Sequence, residues 1–81
     1  MKILVSLVVW FTLALSAVNI NTASVKDLST LNGIGKTKAE AIIKYRKANC
    51  FKNINELTNV KGIGKKTLEK NKTKLSASGC K

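Results

Sequence analysis

The sequence contains no histidine and no proline, and only four of its 81 residues are acidic. Without histidine, or a carboxylate pair placed for a metal, it lacks the usual groups of acid–base or metal-assisted catalysis. Without proline or a low-complexity tract, nothing marks a linker between domains. A chain of this length suffices for one small domain. We therefore expect a single binding domain, and neither an enzyme nor a cofactor or metal.

The first part of the chain differs in composition from the rest. After a short basic start, an almost uninterrupted apolar run extends from Ile3 to Ala17 and ends in small residues. With an apolar centre of about 13 residues, this is the pattern of a secretory signal peptide. Because a membrane-spanning helix needs roughly 20 apolar residues, we expect residues 1–17 to be a cleaved signal peptide, with an uncleaved anchor as the alternative. Residues 18–81 would then be periplasmic or secreted, or membrane-anchored and facing outward.

Positive charge dominates the exported part. Lys2 is the only charged residue before Val18, so residues 18–81 carry 14 Lys or Arg against four acids and a net charge of +10. This imbalance implies an anionic partner, either nucleic acid, anionic lipid or an acidic polymer. Solubility is the simpler explanation, but it rarely requires so one-sided a balance.

The two cysteines, Cys50 and Cys80, both lie in the exported part. An even number of cysteines in an oxidising compartment predicts a disulfide. Closing a loop of this length would stabilise the fold by roughly 3–4 kcal/mol. Two free thiols are the alternative. The 29 residues between the cysteines and the lack of histidine argue against a metal site.

Apolar spacing predicts an all-α fold of four to five short helices, with no strand pattern of period two. Polar residues that can cap a helix precede the first and third helices. The expected helices are one with Val25, Leu28 and Leu31 after a cap at Thr22 or Ser24; one from about Lys36 to Ala48; one with Ile54, Leu57 and Val60 after a cap at Asn53 or Asn55; and one from Lys65.

The chain also repeats itself at an offset of 29 residues. Leu31 to Ala39 reads LNGIGKTKA, and Val60 to Leu68 reads VKGIGKKTL, so four of the five glycines lie in two identical turns. The repeated unit is helix, glycine hairpin, helix. Seven positions align, namely Leu28/Leu57, Leu31/Val60, Gly33/Gly62, Ile34/Ile63, Gly35/Gly64, Lys36/Lys65 and Ala39/Leu68.

Each Gly-Ile-Gly turn predicts a phosphate-binding site. The first glycine suits a helix end with positive φ, and the second begins the next helix, whose first amides have no partner. Such amides favour an anion. The isoleucine between the glycines is expected to turn inward, and lysines lie around the exposed amides: Lys36, Lys38, Lys61, Lys65 and Lys66. Purely structural turns are the alternative.

The segments VNINTAS, LSTLNGIGKTKAEAIIKYR and FKNINELTNVKGIGKKTLEK resemble the tandem helix-hairpin-helix domain of ComEA-type competence proteins over about Val18 to Leu75. The resemblance implies two pseudo-twofold hairpins that bind double-stranded DNA across the minor groove, independently of sequence, during DNA uptake in natural transformation. It leaves open a membrane DNA-uptake channel or pilus machinery as a further partner. The implied phosphate-binding residues are Gly33, Ile34, Gly35, Lys36 and Lys38, and Gly62, Ile63, Gly64, Lys65 and Lys66.

The chain departs from this family in three places. Asn32 stands where a proline usually precedes the first glycine, Asn71 replaces an apolar residue, and Thr73-Lys74 replaces Pro-Tyr. We expect the last helix to lose part of its buried stripe. The two cysteines are not general in the family, and a disulfide between them would offset this loss by tying down the tail.

An alternative function needs charge but not hairpins. In this interpretation the protein is a cationic exported protein that binds anionic membrane or cell-surface polymers. The lysines do not lie along one long helix with a wide apolar face, which disfavours membrane insertion.

Overall fold

The computed structural model describes residues 17–80, so nearly all of the predicted signal peptide lies outside the described residues. Within them, no helix is both long enough and apolar enough to cross a membrane. The elements in chain order are β1 (Val18–Asn19), α1 (Val25–Leu28), α2 (Lys36–Ala48), the 3₁₀ helix η1 (Ile54–Asn59), α3 (Lys65–Asn71), the 3₁₀ helix η2 (Lys72–Lys74) and β2 (Leu75–Ser76).

The helices begin where the sequence predicts, but Leu31 and Val60, which were expected within the first and third helices, lie beyond the ends of those helices. The Ser24 hydroxyl caps α1 by accepting a hydrogen bond from the Asp27 amide at 3.1 Å. The Asp27 carboxylate thereby lies in the first turn, where the helix dipole favours negative charge. The predicted starts of α2 and α3 at Lys36 and Lys65 are confirmed, as is the end of α2 at Ala48.

The third predicted helix is a 3₁₀ helix. Asn53 precedes it as predicted, but the Asn53 side chain makes no capping bond. Instead the Glu56 carboxylate accepts from the Lys52 amide at 2.9 Å, while the Glu56 amide donates to the Asn53 carbonyl at 3.2 Å. The helix has only six residues and is wound more tightly than an α-helix, and it still places Leu57 in the core.

A small parallel strand pair corrects the all-α expectation. Val18 pairs with Leu75 and Asn19 with Ser76, which brings the two ends of the described chain together. The Ile20 amide extends this contact by donating to the Ser76 carbonyl at 2.9 Å. Strands of two residues each contain no alternation of apolar and polar residues, so the sequence pattern could not reveal them.

The core follows the 29-residue repeat. Each aligned apolar pair is buried at both positions: Leu28 and Leu57, Leu31 and Val60, Ile34 and Ile63, and Ala39 and Leu68. Phe51 lies between the two repeats, and its side chain is fully buried. The Tyr45 ring stacks on the Phe51 ring with 5.1 Å between centroids, so Tyr45 is a packing residue.

Hydrogen bonds from two side chains hold the segment before α1 in place. The Asn21 amide group pairs with both backbone groups of Phe51, at 2.7 and 2.9 Å, and donates to the Ser78 carbonyl at 3.0 Å. Arg46 Nη1 donates to the carbonyls of Ile20 and Ala23, at 3.2 and 2.8 Å. This segment therefore connects the N-terminal part, the centre and the tail of the fold.

The structure joins Cys50 to Cys80 in a disulfide, with 5.4 Å between the Cα atoms. Cys50 follows the C-terminal end of α2, whereas the first glycine turn precedes its N-terminal end. A helix of 13 residues is about 20 Å long. The disulfide and the first hairpin therefore lie at opposite ends of α2.

Candidate nucleic-acid interface

The first glycine of each turn adopts a left-handed conformation. The φ angle is +79° at Gly33 and +92° at Gly62, values that L side chains rarely adopt. The residue after each glycine closes the turn, because the Ile34 amide donates to the Leu31 carbonyl at 3.1 Å and its counterpart Ile63 bonds Val60 at 3.0 Å.

These bonds change the predicted role of the two isoleucines. Their side chains turn inward and are buried, as predicted. Their backbone amides already donate one hydrogen bond each within the turn, which makes them less available to a phosphate than an amide without a partner. Ile34 and Ile63 thus anchor the hairpins to the core, and the residues that follow offer further amides to an anion.

The second glycine of each turn caps a helix without occupying the space in front of it. Gly35 (φ −95°) and Gly64 (φ −102°) have extended backbones that other residues also adopt. A Cβ atom built on either glycine would meet no protein atom within 4 Å. The fold therefore does not require glycine at either position, and the protein leaves the space beside both backbones open to a close approach.

The helix starts behind these glycines present unpaired amides. In α2 the first helical bond runs from the Ala39 amide to the Gly35 carbonyl at 2.9 Å, and in α3 from Leu68 to Gly64 at 3.2 Å. Neither helix has a side-chain cap. The amides that precede the first bond belong to Lys36, Thr37 and Lys38, and to Lys65, Lys66 and Thr67. The sequence pattern pointed to the lysines but not to the two threonines.

The two hairpins contact each other reciprocally. A Cβ atom on Gly33 would lie 3.7 Å from the Thr67 side chain, and one on Gly62 would lie 3.7 Å from Lys38 Cε. Thr67 is the repeat equivalent of Lys38, just as Gly62 is that of Gly33. Reciprocal contacts of this kind are the signature of twofold symmetry, so the turns form one surface with a pseudo-twofold axis between them.

Lysines surround this surface. Lys36, Lys61, Lys65 and Lys66 are exposed, which leaves their ammonium groups free to meet an anion. Lys38 differs from them because it is half-buried, and its Nζ lies 3.4 Å from the Gly33 carbonyl. It therefore lies where the two hairpins meet and contributes to their packing as well as to the positive charge.

Asn71 lies on the buried face of the last helix, where the sequence suggested that part of the buried stripe would be lost. It is the repeat equivalent of Ile42, and like Ile42 it is buried, with 1% of its surface exposed. Its side chain bonds the Asn32 amide at 2.8 Å, the Asn32 carbonyl at 2.9 Å and the Thr67 carbonyl at 2.8 Å. Two of the unusual residues of this chain, Asn32 and Asn71, are therefore partners.

The structure contains two units of helix, glycine hairpin and helix, which are related by a pseudo-twofold axis. This arrangement defines a tandem helix-hairpin-helix domain. The family model of the helix-hairpin-helix motif matches residues 14–76. The chain therefore belongs to the helix-hairpin-helix family, as its sequence predicted.

Similar proteins support the ComEA-type resemblance. The chain is 48% identical over 60 residues to ComE operon protein 1 of Bacillus subtilis (strain 168), covering 73% of this chain and 29% of that protein. It is 51% identical over 59 residues to an uncharacterized protein of Haemophilus influenzae, covering 70% of this chain and 53% of that protein. The chain thus spans between a quarter and about half of the length of these relatives.

The same module is found in larger proteins of animals. The human endonuclease/exonuclease/phosphatase family domain-containing protein 1 is 38% identical over 61 residues, which cover 74% of this chain but 11% of that protein. The similarity is confined to that small part of the larger protein.

Proposed function

We propose that the protein binds double-stranded DNA through its phosphates, independently of base sequence, and serves outside the cytoplasm as a DNA receptor in natural transformation. In this proposal it is a binding protein and not an enzyme. One observation carries the proposal. Two helix starts without a side-chain cap lie side by side, each with open space beside its glycine and lysines around it.

The arrangement of the donors favours a phosphate. Backbone amides ahead of the first helical bond point out along the helix axis, where the dipole adds positive potential. Gly35 and Gly64 let a large anion approach these amides without meeting a side chain. Amides of this kind contact the DNA backbone and do not read base edges, so binding should not depend on sequence.

The pseudo-twofold relation of the hairpins favours a duplex. The two strands of DNA are antiparallel and are related by local twofold axes. A pair of equivalent hairpins can therefore present the same donors to a phosphate on each strand. A flat anionic membrane offers no such pairs of sites, so it gives the second hairpin no distinct role.

Charge should make this binding sensitive to salt. Each phosphate neutralised lowers the slope of log K against log[salt] by about 0.9, and non-specific affinities lie at roughly 10⁻⁴–10⁻⁶ M. With about one or two phosphates per hairpin, we expect a slope of about −2 to −4.

The proposed cellular role rests on similarity and on the predicted leader. The relative in Bacillus subtilis is named for the ComE operon, and residues 1–17 have the pattern of an export signal. A free periplasmic or secreted form, or an outward-facing anchored form, would capture incoming DNA. A membrane DNA-uptake channel or pilus machinery would then receive it.

Binding of a short fluorescent duplex to the purified protein across a salt series tests this function, with unrelated sequences and anionic liposomes as comparisons. Lys36→Gln with Lys65→Gln should weaken duplex binding and flatten the salt slope. Lys47→Gln with Lys52→Gln removes the same charge near the disulfide end and should have little effect. An equal loss in both variants, or equal binding to liposomes, would support the alternative that overall charge alone is used.

A further inference from the structure

A buried amide connects the two hairpins of this protein. The buried face of α2 carries Ile42, whereas the equivalent position of α3 carries Asn71. An amide group buried without partners is costly, yet no buried side-chain polar atom among residues 17–80 lacks a partner. Asn71 meets this requirement by forming three hydrogen bonds.

The three bonds have different consequences. The bond to the Thr67 carbonyl, one turn earlier in α3, fixes the orientation of the Asn71 side chain. The other two hold both backbone groups of Asn32, which is 39 residues away in the first hairpin. Asn32 directly precedes Gly33, so the point held by Asn71 is the entry to the turn.

No equivalent side-chain clamp holds the second hairpin within the described residues. The counterpart of Asn32 there is Lys61, and the repeat places the hydrocarbon side chain of Ile42 at the position equivalent to Asn71. The two bonds between Asn71 and the Asn32 backbone therefore attach the first hairpin to α3, the helix that begins at the second hairpin. A ligand bound by both hairpins at once requires their donors at a fixed separation, and such preorganisation raises affinity.

We propose that Asn71 is a positioning residue for the proposed DNA interface, because it sets the place of the first hairpin's amides relative to those of the second. This inference rests on the proposed function. Asn71 itself is buried and does not touch DNA. Its effect on binding passes through the backbone of Asn32.

The test compares Asn71→Leu with a matched core variant, Ile42→Val. Both change the equivalent buried position, but only Asn71→Leu leaves the Asn32 backbone without partners. At a temperature where both are folded, we expect Asn71→Leu to lose affinity for the duplex roughly tenfold. This is about the cost of losing one charge-assisted hydrogen bond between a hairpin amide and a DNA phosphate. Ile42→Val should bind like the unaltered protein. Asn71→Ser, whose shorter side chain cannot reach both Asn32 groups, is a milder variant for the same comparison.

Two further readouts separate positioning from a loss of stability. Hydrogen exchange at the Asn32 amide should accelerate in Asn71→Leu and stay unchanged in Ile42→Val. Asn32→Pro removes the N–H that donates a hydrogen bond to Asn71 Oδ1. Adding Asn71→Leu to Asn32→Pro should therefore lower the affinity less than Asn71→Leu does in the unaltered protein.

Each outcome decides the inference. If Asn71→Leu binds DNA as tightly as Ile42→Val does, or if its effect is the same with and without Asn32→Pro, Asn71 is only a core residue and the inference is wrong. If the unaltered protein shows no salt-dependent duplex binding, the proposed function is wrong and this inference falls with it.

Discussion

Replacing Gly35 or Gly64 by asparagine should make the protein more stable and a weaker DNA binder. Both glycines have the extended backbone of an N-cap residue, and neither would place a Cβ atom against the protein. An asparagine there can turn its side-chain oxygen onto the amide two or three residues later. That oxygen would occupy the donors that we assign to phosphate.

The two effects can be estimated separately. Asparagine is better than glycine at an N-cap by a few tenths of a kcal/mol, and replacing glycine at a compatible φ adds about 0.4 kcal/mol or more. Each substitution should therefore raise the unfolding free energy by about 0.5–1 kcal/mol and Tm by roughly 2–8 °C. A charge-assisted bond removed from the interface is worth about 1.5–3 kcal/mol, or roughly ten- to hundredfold in affinity.

The assay measures thermal unfolding and duplex anisotropy on the same preparations. The net charge does not change, so general electrostatic attraction is the same in every variant. The variant that combines Gly35→Asn with Gly64→Asn should show a salt slope that is shallower by about 0.9 for each phosphate that it no longer binds. A protein that gains stability and still binds DNA with unchanged affinity and slope would refute the role of these amides.

Other substitutions should separate fold from interface. Gly33→Ala must adopt a positive φ of about 79°, so it should destabilise the protein by about 1–2 kcal/mol in thermal melts. Cys50→Ser with Cys80→Ser should cost about 3–4 kcal/mol but leave duplex affinity unchanged below the lower Tm; two free thiols on titration of the non-reduced protein would contradict the disulfide. Arg46→Gln loses bonds to two carbonyls and should cost about 1.5–3 kcal/mol, whereas Lys47→Gln, with the same change of charge, should melt like the unaltered protein.

The sequence was a good guide wherever a pattern is local or repeated. The bounds of α2 and the start of α3 follow from a glycine turn and apolar spacing, and both appear in the structure. The repeat also predicted which side chains would be buried, because equivalent positions lie in equivalent surroundings. The family followed from the same residues.

The interactions that join distant segments could not be predicted. Asn21 looks like a loop residue, yet it pairs with the backbone of Phe51. In the sequence, Asn71 looks like a polar defect in an apolar stripe. Its partner Asn32 could not be recognised, because it is 39 residues away and contributes only backbone atoms. The engaged amide of Ile34 belongs to the same class, since the sequence gives no information on which backbone groups a turn has already paired.

The most direct test is to titrate the ¹⁵N-labelled protein with a short duplex and follow each backbone amide by NMR. We expect the largest shifts at Lys36 and Thr37 and, at the same DNA concentrations, at their equivalents Lys65 and Lys66. The amides near the disulfide should change little. Shifts spread evenly over all lysine-bearing surfaces, or confined to one hairpin, would contradict binding by a pair of hairpins.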